Sequence, residues 1–395
     1  MNCKTLIRKF CIAIGAAVAL TTAPALAEKP LRIGFSMAKT GLFAAAAPSQ
    51  LNAYELWREQ VNARGGLDVS GAKRLVEFVQ YDDQSNPGNA VRIYEKLITD
   101  DKVDLLLAPW GTPHHFALAP VLEKHKFPMV GNTATSVQLR MIKPGYIWFT
   151  TSAMPDRMGT ELAAMMKANG IKSAAIIGNA LPLAKEIKAA LVPELRKNGI
   201  ELKVSEEYPP DIKDMTPLLS KVKGAAPGAI IVLSYPSDSV LYAKQAKELG
   251  IVAQFQFVAI GPAIDFYAKV VGPAANGFVT MGHWSPERKE WPRAKPFYDA
   301  YVKKFSAKPD YLDSVLAYLS CEILEQAVAK AGLDKEKLRQ AISTMTFDTI
   351  NGPVKFQGVQ NMTTPTAFLQ VQGSDLQIVW PKSIATSDFK AKTGW

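Results

Sequence analysis

The chain has 395 residues, 48% of them hydrophobic and 21% charged, with a formal net charge of +10. That balance is ordinary for a globular protein and excludes disordered, collagenous and disulfide-rich classes. The positive excess is scattered with no polybasic block, which gives no case for nucleic-acid binding, and no segment is long and apolar enough to span a bilayer.

Residues 1–27 read as a cleaved signal peptide. Lys4, Arg8 and Lys9 precede the apolar run CIAIGAAVAL, and Ala25-Leu26-Ala27 has the small-x-small form of a cleavage site. Cleavage after Ala27 removes Cys3 and Cys11, so Cys321 stands alone as a buried, apolar-type residue and no intramolecular disulfide forms. It also removes three positive charges and no negative one, so the net charge falls from +10 to +7. The 368 residues that remain are too many for one core and suit two domains.

The pattern opens with a strand at LRIGFS (31–36), then a helix from about Ser49 with Leu51, Tyr54, Trp57 and Val61 on one face, ended by Gly65-Gly66. Strand LVEFVQY (75–81) follows. Asn86 caps a helix whose first turn holds Pro87 and whose stripe is Ala90, Val91, Tyr94, Leu97 and Ile98. Strand VDLLLA (103–108), a helix through PHHFALAPVLEKH and strand FPMVGN (127–132) complete a first series. A second begins after YIWFTTSA (146–153), with strands at 173–178, 202–208, 229–234 and 254–260 separated by helices. Continuous apolar strands with helical connections predict parallel sheets covered on both faces, hence two βα lobes. Ligands of such sheets lie beyond the carboxyl ends of the strands. The polar loops SMAKTGLF, APWGTP, GNTATS, GNALP, SYPSD and IGPAID all fall there.

No P-loop, GxGxxG, GxSxG or HExxH is present, and adjacent His114 and His115 point about 100° apart on a helix, so they cannot share one metal. Asp82-Asp83 reads as a loop-fastening hydrogen-bond device rather than a metal site. No nucleophile–base pair is visible, so neither an enzyme nor a cofactor is expected. The hydroxyl loops carry more. GNTATS leaves a strand and enters SVQLRM, which puts its N–H groups at a helix N-terminus; Thr112 stands equivalently after VDLLLAPWG. Two such loops side by side can hold a carboxylate through hydroxyls and backbone amides. Thr and Ser also cap helices very often, and spacing alone leaves the two readings open.

In order, IGFSMAKTGLFA, ELWREQVNARGG, VQYDDQSNPGNAVRIYEKLITDDKVDLLLAPW, VLEKHKFPMVGNTATS, PFYDAYVKKFSAKPDYLDSVLAYLSCEILEQAVAKAG and FDTINGPVKFQ resemble the solute-binding proteins of ABC importers, in the branched-chain amino-acid-binding group. The resemblance implies an α/β fold of two Rossmann-like lobes, the type I periplasmic-binding fold, with three hinge crossovers near 149–153, 282–287 and 354–358. The first lobe is then 28–151 and 285–355, and the second is 152–284 and 356–395. It further implies a periplasmic monomer that hands a small-molecule ligand to an inner-membrane ABC permease.

Carried over by position, the resemblance assigns the ligand's carboxylate to Thr112, Thr133, Ala134 and Thr135, which decides the open choice for an anion site. The second lobe departs from the family. Where amino-acid-binding relatives place a glutamate for the ligand's ammonium, this chain has Ala263 in IGPAID, with Asp265 two residues on and expected to point elsewhere. The loop after strand 173–178 gives apolar Leu181-Pro182. With Tyr235, His283, Trp284, Phe43 and Trp110 as the remaining candidates, these residues suit a flat aromatic acid such as a hydroxybenzoate or a phenylpropenoate. A binding protein for branched-chain or other aliphatic amino acids, or a ligand sensor for a membrane receptor, is the alternative.

Overall fold

Apolar runs bounded by Gly, Pro and Asn become strands in this computed structural model, which describes residues 29–143, 145–364 and 366–395; the candidate signal peptide lies outside them. The first series is β1 (Leu31–Met37), α1 (Ala47–Ala63), the hairpin β2 (Leu67–Val69) and β3 (Ala72–Arg74), β4 (Val76–Asp82), α2 (Pro87–Thr99), β5 (Leu105–Leu106), α3 (Thr112–His125), β6 (Met129–Gly131) and β7 (Ile147–Phe149). The Asn86 side chain accepts from the N–H groups of Gly88 and Asn89, the cap expected for α2. Two strands are shorter than their apolar runs, although Asp104 and Leu107 still donate to β1 on either side of β5. SVQLRM forms a single 3-10 turn, Val137–Met141, instead of an α-helix.

The second series is α4 (Pro155–Ala168), β8 (Ser173–Asn179), α5 (Pro182–Lys197), β9 (Glu201–Tyr208), α6 (Thr216–Ala225), β10 (Ala229–Leu233), α7 (Pro236–Glu248), β11 (Phe255–Val258), α8 (Asp265–Val271) and β12 (Phe278–Gly282). The chain then adds α9 (Ala294–Phe305), α10 (Asp313–Ala331), α11 (Lys335–Thr344), β13 (Thr346–Thr349), β14 (Gly352–Gln357), β15 (Gln360–Asn361), β16 (Ala367–Gln372) and β17 (Asp375–Trp380).

Two lobes result. The second is built on a seven-stranded sheet in the order β17-β16-β12-β11-β10-β8-β9, parallel from β12 to β9 and antiparallel at β16 and β17. Its central strands β10, β11 and β12 are buried along their whole length, whereas edge strand β9 alternates exposed and covered residues. Helices on both faces explain the first pattern, and a single covered face explains the second. The first lobe holds the sheets β4-β1-β5 and β13-β14-β15-β7-β6. Helices α9 and α10 return to this lobe: Asn52 bonds to Tyr301, and the Trp57 indole donates to Glu325 at 3.0 Å.

The first passage between lobes runs through 150–154. The third differs. β14 and β15 continue the first-lobe sheet, with Gln360 paired to Phe149, so the chain crosses at 362–366 and not at 354–358. Asn361 Nδ2 donates to Thr150 O at 2.7 Å and Thr366 Oγ1 to Ser152 O at 3.3 Å, which ties the first and third passages together.

The lobes also meet away from the passages. Glu186 of α5 accepts hydrogen bonds from Ser136 Oγ at 2.6 Å and Val137 N at 2.8 Å, and Lys308 pairs with Asp375 at 2.6 Å. Charge-assisted bonds of the Glu186 kind contribute roughly 1.5–3 kcal/mol. Both partners meet only when the lobes are close, so Glu186→Ala is expected to move the open–closed balance toward open by about tenfold or more. Small-angle scattering of the ligand-free protein checks this, since the variant's radius of gyration should exceed the parent's.

Candidate ligand-binding site

The carboxyl ends of the strands from both lobes face each other across a cleft lined by Trp110, Gly111, Thr112, Asn132, Thr133 and Thr135 from one side and Leu183, Tyr235, Ile260, Met281 and His283 from the other. Leu312, Asp313 and Leu316, at the start of α10, close the end. The cavity left between them is about 40 Å³, far below the roughly 300–1,000 Å³ of an ordinary ligand pocket, so a ligand must part the lobes to enter.

Gly111 positions the first hydroxyl loop. Its φ of +95° belongs to glycine's range, and it lets the chain turn from the end of β5 directly into α3. The two hydroxyl loops then brace each other. Thr112 Oγ1 accepts from Thr135 N at 3.0 Å, and Thr133 Oγ1 accepts from Gly111 N at 3.0 Å. Thr135 Oγ1 has only a 3.4 Å contact with Thr151 Oγ1 and is the least engaged of the three. The N-terminus of α3 adds the positive end of a helix dipole, although Pro113 in its first turn has no N–H to offer.

The second hydroxyl-loop helix behaves differently from the expectation. The N–H of Val137 at the turn after GNTATS is taken by Glu186, and the side chain of Ser136 caps Gln138 N at 3.1 Å while donating to the same carboxylate. The anion drawn to that helix end is therefore the protein's own. Nothing in the sequence around Glu186 marks it, because its partner lies 50 residues away in the other lobe.

Of the predicted residues, Thr112, Thr133, Thr135, Trp110, Tyr235 and His283 line the cleft. Five do not. Trp284 is fully buried core, stacked on Tyr311 at 5.7 Å between centroids, with its indole donating to Asp310 O at 3.0 Å. Phe43 packs behind the cleft against Trp110 and Tyr235, at 4.8 and 6.1 Å. Ala134 is buried in the first-lobe core. Leu181 is the N-cap residue of α5, and the helix turns Leu183 into the cleft in its place. Ala263 is buried with its carbonyl accepting from Tyr311 N at 2.9 Å, and it lines a separate cavity of about 620 Å³ beside α8 and the β16–β17 turn. Asp265 lines that same cavity and pairs with Lys269 at 2.5 Å. Asp82 and Asp83 are loop fasteners: Asp82 accepts from Lys39 N, Thr40 Oγ1 and Gln84 N, and Asp83 from Ser36 Oγ and Ser85 N.

Asp313 is the acid that sequence reasoning did not place. Its Oδ2 accepts from the Trp110 indole at 2.9 Å, and burial, followed by the neighbouring Asp310 carboxyl, pushes its pKa well above the carboxylate range. His283 is displaced the other way: burial lowers it to about 4, so the ring is neutral, and its Nδ1 has no hydrogen-bond partner among the described residues. Thr150 Oγ1 and Ser152 Oγ, on the first passage, are buried and unpartnered in the same sense. Among the described residues, no cationic side chain lines the cleft.

Residues 30–375 match the family model described as periplasmic binding protein. A relative in Brucella melitensis, Leu/Ile/Val-binding protein homolog 7, is 24% identical over 97% of this chain and 99% of its own. Among solved structures, a branched-chain amino acid transporter substrate-binding protein of Streptococcus pneumoniae in complex with isoleucine is similar at a TM-score of 0.80, with 21% identity over 89% of this chain and 100% of that one. A solute-binding protein of an ABC transporter from Rhodopseudomonas palustris in complex with 3,4-dihydroxybenzoic acid is similar at 0.77, with 23% identity over 92% and 98%.

The depressed pKa of His283 makes stability depend on pH with a definite sign. The unfolded ring titrates near 6.5 and the folded one near 4, so the favourable contribution is complete above pH 6.5 and is lost as pH falls toward 4. A shift of that size corresponds to at most about 3 kcal/mol. Thermal midpoints of the parent and of His283→Phe, compared at pH 7.5 and 5, should show the smaller acid-induced drop in the variant.

Proposed function

The chain belongs to the periplasmic binding protein family, and from that premise we propose that it captures a small carboxylate for an ABC importer, with an aromatic acid as the favoured ligand. Ligand-driven closure of the two lobes is the mechanism. A ligand that touches both walls stabilises the closed form by the contacts it makes only there.

The observation that carries the reading is the contrast between the two walls. One presents Thr112, Thr133, Thr135 and the end of α3, which suit a carboxylate. The other presents Leu183, Tyr235, Ile260 and Met281 with a neutral His283, and it offers an ammonium no ionised partner of its own. Stripping water from an ammonium without pairing it costs several kcal/mol, whereas an aromatic ring gains about 25 cal/mol for each Å² it buries. The dihydroxybenzoic acid held by the Rhodopseudomonas relative supports the same ligand class.

Asp313 favours a second reading. Its carboxyl lines the cleft, and an amino-acid ammonium beside it would draw it into the ionised form. The isoleucine of the Streptococcus relative accords with that. Family members are solute carriers, so neither reading includes turnover.

A thermal-shift screen separates the two. Benzoate-type acids are expected to raise the melting temperature and leucine, isoleucine and valine to leave it unchanged; the largest shift with a branched-chain amino acid would instead select the Asp313 pairing. Thr135→Ala is expected to weaken the bound acid by about ten- to a hundredfold, as loss of one charge-assisted hydrogen bond requires, with the fold intact by circular dichroism. Calorimetric affinity equal to the parent's would put the anion site elsewhere.

A further inference from the structure

Around the cleft, two buried polar side chains, one from the apolar wall and one from the start of α10, keep hydrogen-bonding capacity that the protein leaves unused. His283 Nδ1 is one, with no partner among the described residues. The other is Asp313, whose Oδ2 is held by the Trp110 indole at 2.9 Å and whose Oδ1 has no hydrogen-bond partner among the described residues. Both residues line the same cavity. Their segments are fastened together, since His283 N donates to Tyr311 O at 3.0 Å, two residues before Asp313.

Asp310 decides which of the two neighbouring acids carries charge. Burial raises the Asp310 carboxyl too, but its Oδ1 accepts the N–H groups of Leu312, Asp313 and Ser314 at 3.3, 2.8 and 2.7 Å, donors that favour its anion over that of Asp313. Asp313 receives one indole N–H and faces Asp310's field as well as its own burial. The proton of the pair therefore belongs on Asp313. A carboxylic acid with one oxygen occupied as acceptor turns its O–H outward, so Asp313 presents a donor, and the unpartnered Nδ1 of neutral His283 is an acceptor whenever the ring proton sits on Nε2. A single group meets both demands: a neutral hydroxyl, which accepts from one and donates to the other.

We propose that Asp313 and His283 together read a hydroxyl on the ligand, and that Asp313 is the specificity-determining residue for hydroxylated aromatic acids. This rests on the aromatic-acid reading and adds to it the residue that discriminates. A site built to bond a hydroxyl rejects the analogue that lacks it, because its own buried groups are then left unpaired.

Calorimetry with benzoate, 3-hydroxybenzoate, 4-hydroxybenzoate and leucine tests it on the parent, Asp313→Ala and Asp313→Asn, each checked for a cooperative thermal transition. The parent is expected to bind one of the hydroxybenzoates at least tenfold more tightly than benzoate. Asp313→Ala should bring that ratio close to one, and Asp313→Asn, which keeps a donor and can still accept from Trp110, should retain most of it. Equal affinity of the parent for benzoate and both hydroxy acids, or a ratio unchanged in Asp313→Ala, overturns the role of Asp313 and leaves the aromatic-acid reading standing. Binding of leucine alone, abolished by Asp313→Ala, overturns both, because Asp313 then pairs with an ammonium.

Discussion

The passages between the lobes bond to one another, and the rest of the molecule depends on that arrangement. Asn361 reaches the carbonyl of Thr150 at 2.7 Å and Thr366 reaches that of Ser152 at 3.3 Å. The second passage is pinned in its own way, with Asn351 Nδ2 donating to His283 O at 3.0 Å. A bundle of crossing segments that satisfies its own backbone groups can bend without unmaking either sheet. Each lobe can then be rigid, with continuous buried strands, while the cleft between them changes width. Had the passages been sealed into one sheet, closing on a ligand would have meant breaking a ladder.

A cleft placed at two sets of strand ends inherits several helix N-termini, and each is a place where negative charge is welcome. The protein fills several of them itself. Asp238 caps α7 by accepting from Tyr235 N at 2.8 Å, and Glu186 crosses from the other lobe to cap the turn after GNTATS. Asp310 serves the start of α10 with three accepted N–H groups. The N-terminus of α3 keeps hydroxyls around it and has no acidic residue in its first turn, and its cap is Gly111, which has no side chain to offer. That asymmetry is what turns a generic property of helices into a directional site.

The sequence pattern was a good guide to whatever local spacing controls. Buried parallel strands announce themselves as unbroken apolar runs, and Asn86-Pro87 and Gly65-Gly66 mark helix ends by chemistry that acts within a few residues. The paired hydroxyl loops were legible for the same reason. What escaped was decided by contacts across the fold. Ala263 and Leu181 sit in the right loops, yet the exact start of a helix or a 3-10 turn rotates them away and brings Leu183 and Ile260 to the cleft. Trp284 has the composition of a binding residue and the neighbours of a core residue. Asp313 and Glu186 owe their roles to partners 203 and 50 residues distant in the chain, and no periodicity encodes such a meeting.

Cys321 lies in the middle of α10, fully covered, with its thiol pushed well toward the protonated form by burial. It is the free cysteine among the described residues. A thiol so shielded is a poor nucleophile, and reagents in the surrounding solvent do not reach it. The described residues therefore offer chemists a surface with no competing thiol. A cysteine introduced at Leu42, which is 42% exposed and adjacent to Phe43 where the lobes touch, would be the accessible thiol among the described residues. Its fluorescence would follow the approach of the lobes, making this chain a ready frame for an optical reporter of whatever solute closes it.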